Sequence, residues 1–190
     1  MNWETGTENS LVIQARLRLP TLPAPFKWGV ETMGHVNQAA LLLVIRGIGK
    51  VEMVSPANNC FLAVLNGLRS QVPGKGIGRF LLSTIEQAAW DLNYTMLQGS
   101  NSSPVANGLL LHQGWTVHET PWFVSRRTQN QIWVYTKILR ERPTVVQPDW
   151  PAVEAWLKQG QAEDVPPLYY APPEPTLRAP NYPEPEGEPR

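Results

Sequence analysis

One cysteine, Cys60, is too few for an internal disulfide or a cysteine-built metal cluster. No two of the three histidines have metal-ligand spacing, so no metal is expected. Net charge is also missing. Sixteen basic and sixteen acidic residues cancel, which argues against broad electrostatic binding to nucleic acid or to an anionic membrane. No apolar run reaches the roughly eighteen residues that a membrane helix needs. The opening residues, MNWETGTENS, lack the basic stretch and apolar core of a secretory leader. Together these absences predict a soluble protein of a reducing compartment, cytoplasmic or part of a particle assembled inside a cell. Asn93-Tyr-Thr and Asn101-Ser-Ser match the glycosylation triplet and, with no leader, are read as coincidence.

What the chain has instead is apolar material, tryptophan and proline. It has 190 residues, 42% of them hydrophobic, enough for one domain with a real core. Eight Trp are many for this length, and nine of the nineteen Pro lie between Pro166 and Pro189. That density forbids helix and sheet alike, so residues 161–190 are read as an extended, polyproline-like arm. The arm carries six acids and two bases, hence −4 against +4 for the remainder. It is either a solvated tail or a docking arm, since Tyr169, Tyr170, Leu177 and Tyr182 are anchors that a spacer does not need. Ahead of it, PDWPAVEAWLKQG predicts a short helix. Asp149 caps it, Pro151 sits in its first turn, and Val153, Trp156 and Leu157 share a face. The division expected is 1–142 domain, 143–160 linker and helix, 161–190 arm.

Within the domain, LVIQARLRL (11–19) alternates like a strand, and 20–38, broken by Pro and Gly, reads mostly as loop. LLLVIR and KVEMVS flank Gly47-Ile48-Gly49 as a hairpin. CFLAVL (60–65) reads as a buried strand, and about 76–92 as a helix with Ile77, Phe80, Leu81, Ile85, Ala88, Ala89 and Leu92 on one stripe. TMLQGS (95–100) is a strand. Ser103-Pro104 opens a helix that Gly114 closes. WTVHETPWFVS and QIWVYTKIL pair as final strands. The order predicts a mixed, mostly antiparallel α/β sheet flanked by helices.

The stretch that carries chemistry is QVPGKGIGR (71–79), three glycines with Lys75 and Arg79 between a strand and a helix. It is not a Walker loop, which needs Gly-Lys-Ser/Thr after four residues. Nor is it a Rossmann fingerprint, because the third glycine position falls on Arg79 or Leu81. Glycines let backbone approach a pyrophosphate closely, and N–H groups of the loop and first helical turn bond its oxygens where the helix dipole is positive.

The spacing Gln71-x-x-Gly74-x-Gly76 resembles the acyl-CoA loop of the GNAT superfamily of N-acetyltransferases. Downstream, the strand MLQGS, the turn NSSP and a helix ending LLLHQGW continue the likeness, with Gly114-Trp115 where that family has Gly-Phe and Ala106 and Leu109 at its small and apolar helix positions. The resemblance spans about 11–140. It implies a GNAT-like sheet and acetyl-CoA as donor, its pyrophosphate on Gln71, Gly74, Lys75, Gly76, Ile77, Gly78 and Arg79 and its pantetheine arm paired near Val64 and Leu65. It implies direct transfer of the acetyl group to an amine.

The likeness breaks at the chemistry. The family's proton-donating Tyr falls on Leu110, and its usual turn Asn on Ser103. The catalytic candidates that remain are Glu52, His112 and His118. The segment between the first two strands, where the family builds two helices that wall the acceptor, is short and Pro-broken. Two readings follow: an N-acyltransferase with an unidentified amine acceptor, or a catalytically degenerate GNAT-fold structural or adaptor protein of a larger assembly, such as a virus particle. The second would use the Trp-rich surface and the 161–190 arm to bind a protein partner or a second copy. A non-catalytic sensor of acetyl-CoA is a third.

Overall fold

The computed structural model describes residues 13, 15–35, 38–56, 61–101, 103–118, 123–124 and 131–159. The Pro-rich arm, Cys60 and all of residues 1–12 lie outside them. Eight strands and three helices follow in the order β1 (Trp28–His35), β2 (Gln38–Ile45), β3 (Gly49–Pro56), β4 (Leu62–Ser70), α1 (Ile77–Asp91), β5 (Met96–Asn101), α2 (Pro104–His112), β6 (Thr116–Val117), β7 (Phe123–Val124), β8 (Gln131–Ile138) and α3 (Trp150–Lys158). The sheet runs β1-β2-β3-β4-β5-β8-β6, with β7 also paired to β8. Only β4 and β5 among the neighbouring central strands run parallel, joined by α1 as a crossover.

The sequence reading of the β2–β3 hairpin holds, with Gly47 at φ 75° in its turn. So does that of α1, which ends at Asn93 in the left-handed region, φ 66°. Two readings at the start of the chain do not hold. Within 11–19, Ile13, Ala15 and Arg16 are helical, Leu17 N–H bonds the Ile13 carbonyl, and 17–20 has no regular structure. The alternation misled because Ile13 and Leu17 also suit one helical turn, and the place beside β2 is taken. It is filled by Trp28–His35, inside the stretch read as loop, whose Trp28, Val30 and Thr32 pair with Ile45, Leu43 and Leu41.

One face of the sheet is sealed. Leu41, Leu43, Ile45, Val51, Met53, Ala63 and Leu97 are buried under α1. Gly49 marks how close that packing is: a Cβ there would lie 2.5 Å from the Arg69 carbonyl oxygen and 2.9 Å from Leu81 Cδ1. Gly49→Ala should therefore cost about 2 kcal/mol by overpacking, read as a lower urea midpoint with unchanged slope.

α1 is buried on nearly every side from Phe80 to Ala89, because residues 139–158 run back along its outer surface. Arg142 grips Asp91 at 3.0 and 3.2 Å. Gln87 Nε2 donates to the Pro143 carbonyl, and Val146 N–H to Ser83 Oγ at 3.0 Å. The strap ends in α3, capped as expected by Asp149, whose Oδ1 accepts from Ala152 N–H. There Trp150 packs edge-on to Phe80 and stacks on Phe26, while Trp28 stacks on Phe80. The segment 143–158 is thus an outer layer of the same core, with Val153 fully buried.

Candidate functional site

The parallel pairing of β4 with β5 covers Leu62–Leu65 and Met96–Gly99 and then stops, although β4 continues to Ser70 and β5 to Asn101. The cause is local. The β3–β4 register jumps between Glu52↔Gly67 and Met53↔Leu65, so Asn66 is an extra residue in β4. A bulge of this kind bends its strand and raises its twist. Beyond Leu65 and Gly99 the two strands are no longer paired, which leaves a notch between their C-terminal ends.

β4 feeds the notch directly into the glycine loop. Its start is pinned: Gln71 N–H bonds the Ile48 carbonyl at 2.8 Å, and Ser70 Oγ donates to the Val72 carbonyl at 3.0 Å. Gly74 and Gly76 sit at φ 70° and 83°, a region that side chains disfavour. Gly76 is also the N-cap of α1, so no side chain caps the helix and no acid stands in its first turn. The N–H groups of Ile77, Gly78 and Arg79 precede the first intrahelical bond, Phe80 N–H to Gly76 carbonyl, and point from the positive end of the dipole. Lys75 is half-buried and Arg79 exposed beside them.

The glycines differ in purpose. Gly74 opens onto free space. A Cβ on Gly76 would come 3.4 Å from Pro148 of the strap, and one on Gly78 would come 3.4 Å from Leu109 of α2. Gly78 thus serves helix packing. Pro148, part of the wall, gave no sign in the sequence.

Val64 and Leu65 lie within the last paired rungs, in register with Gln98 and Gly99. Strand backbone with no pairing to β5 starts one residue later, at Asn66. The bulge that ends the pairing leaves no mark in composition.

The catalytic candidates separate by strand position. Gly49, Val51 and Met53 face α1, so Glu52 on the same strand faces away from it. Glu52 pairs with Gly67, whose absent side chain leaves open space beside the notch. His118, at the end of β6, also faces away from α1 and bonds Thr136 Oγ1 through Nε2 at 3.0 Å. It stands four strands from Glu52, about 19 Å at ordinary strand spacing, so the two do not act on one atom. His112 is exposed at the far end of α2, about 12 Å along the helix from its start. Leu110 is buried and offers no proton. Among the described residues no group of three His, Cys, Asp or Glu is placed to hold a metal ion.

One buried charge lies outside the notch. Glu86 of α1 accepts from Trp115 Nε1 at 2.7 Å and from Lys137 Nζ at 2.6 Å, and Lys137 Nζ also donates to the Gln113 carbonyl. Burial pushes the Glu86 carboxyl up, with Lys137 and Trp115 holding it back. The group ties α1 to β8 and to the turn that carries Trp115.

No protein-family model and no curated protein sequence matches the chain. Solved structures do match its trace. A GNAT family acetyltransferase from Elizabethkingia anophelis with acetyl-CoA bound shares 12% identity over 62% of this chain and all of that one, TM-score 0.46. YncA of Salmonella typhimurium, described as a putative acetyltransferase with its cofactor acetyl-CoA, shares 18% over 57% and 69%, TM-score 0.44. A tandem GNAT protein from the clavulanic acid pathway shares 17% over 47%, and this chain spans only 32% of its length, TM-score 0.42. The described residues form an α/β fold, a mixed sheet flanked by three helices, with pairing between β4 and β5 that stops short of their C-terminal ends.

Proposed function

We propose that the chain binds acetyl-CoA across the notch and transfers the acetyl group to an amine. The observation that carries this reading is continuity. Unpaired β4 backbone from Asn66, the loop Gln71–Gly76 and the uncapped start of α1 follow one another with no break. Such a run presents N–H donors first to an extended amide-bearing arm and then to a pyrophosphate.

In this reading Glu52 is the base. It lies one strand from the notch on the side away from α1 and takes a proton from the acceptor's ammonium. The freed amine nitrogen attacks the thioester carbonyl, the C–S bond breaks, and the nitrogen gives its second proton to water as the amide forms. With Leu110 buried, the departing thiolate takes one proton back from water, so CoA leaves as the thiol. Holding donor and acceptor in register supplies most of the acceleration.

Calorimetric titration with acetyl-CoA tests it. Micromolar binding is expected. Lys75→Glu should weaken it at least tenfold without moving the thermal midpoint, since Lys75 sits in the loop and needs no special backbone conformation. A substitution at Gly76 would confound strain with charge. Wild-type protein that neither binds acetyl-CoA nor CoA sinks the reading.

A further inference from the structure

The acceptor side of the notch carries information about the acceptor. All three described helices and the strap lie on one side of the sheet. On the other side, among the described residues, there are only strands. The segment expected to be a short acceptor wall is not between the first two strands at all: β1 and β2 are joined by two residues, 36 and 37. The prolines precede β1. Glu52 is only 9% exposed on that side, so it is recessed among its neighbours on the sheet.

The face is patterned. In one row Leu42 and Gly67 flank Glu52 across β2, β3 and β4. The next row toward the glycine loop holds Lys50 beside Arg69, in register on β3 and β4. The next row away from it holds Ala40, Val54 and Val64. Leu42, Val54 and Val64 are only half-buried, and Ile138 further along is 62% exposed, whereas their counterparts under α1 are sealed. So a recessed carboxylate stands between a cationic pair and an apolar strip.

We propose that the acceptor is the amino group of a polypeptide with an acidic side chain near that amine and apolar residues beyond it. This rests on the acetyl-CoA reading above. Its ammonium meets Glu52, its acid meets Lys50 and Arg69, and its apolar part covers Val54 and Val64. Opposite charges aligned in this way set partner choice more than raw affinity. A small polycation would be drawn to Glu52 and repelled by the pair beside it.

The test measures acetyl transfer from labelled acetyl-CoA to synthetic peptides with one free amine, flanked by Glu and Leu or by Lys and Leu, and to spermidine and glucosamine. The acidic peptides should show at least tenfold higher kcat/KM than the basic ones and than both small amines. Arg69→Glu should reverse the preference between the two peptide sets. Acetyl-CoA binding together with equal or better transfer to the small amines, or no peptide transfer, overturns this inference and leaves the donor site standing. Loss of both binding and transfer removes the two together. If Arg69→Glu instead changes the sedimentation of the protein alone, the face holds a second copy. If deletion of 161–190 is needed before any peptide reacts with this preference, the chain's own acidic arm is its occupant. Either result also overturns the proposal.

Discussion

Phe80→Ala is expected to cost about 4 kcal/mol of stability. Phe80 is fully buried in the first turn of α1. Its ring stacks on Trp28 of β1 with centroids 5.6 Å apart and meets the edge of Trp150 of α3 at 5.4 Å. Truncation opens a cavity where three layers join, and aromatic pairs of this geometry add to the area they bury. The loss has a second effect, because the strap that Phe80 anchors places Pro148 against Gly76. The variant should therefore lose acetyl-CoA affinity in calorimetry even below its melting temperature. Equal destabilisation with unchanged affinity would separate the strap from the loop. Phe80→Leu, which refills most of the volume, should recover more than half of the stability.

Lys137→Met is expected to cost about 3 kcal/mol near pH 8, because removing one partner of a buried pair leaves the other charge uncompensated. The Glu86 side chain is 2% exposed and that of Lys137 19%, so the carboxylate has little water to fall back on. The pH dependence has a definite sign. A carboxyl whose folded pKa lies above its unfolded value binds its proton more readily in the folded chain, so stability falls as pH rises through the window between them. Burial already raises Glu86, and the variant removes the Lys137 contributions that lower it. The cost should thus shrink as pH falls and Glu86 becomes neutral. Chemical denaturation of wild type and variant at several pH values reads this directly, and a cost independent of pH would refute the assignment. Glu86→Gln with Lys137→Met keeps an acceptor for Trp115 and should recover most of the loss.

The legible parts of this protein were those in which local chemistry and tertiary use agree. The stripe from Ile77 to Leu92 is helical because its apolar positions repeat at 3.6 residues, and it is buried for the same reason. Asp149 and Pro151 mark a helix start in any context. Gly74 and Gly76 marked a loop between strand and helix, and both lie at positive φ, where side chains are disfavoured. The N-terminal strand failed because alternation over five apolar residues does not say which segment reaches the open place beside β2. Trp28–His35 takes it through Trp28 on Phe80, a contact 52 residues away in sequence.

The candidate site divides along the same line. The sequence carried the glycine-rich stretch at Gln71–Arg79, and its one cysteine excludes a cysteine metal cluster; Leu110 at a proton donor's position came from the family resemblance. Only the tertiary structure decided which way Glu52 faces, where β4 parts from β5, that His118 stands about 19 Å from Glu52 at ordinary strand spacing, and that Pro148 walls the loop. Those facts depend on one extra residue at Asn66 and on strand order. A bulge is a register difference between two chains, so neither strand carries it by itself.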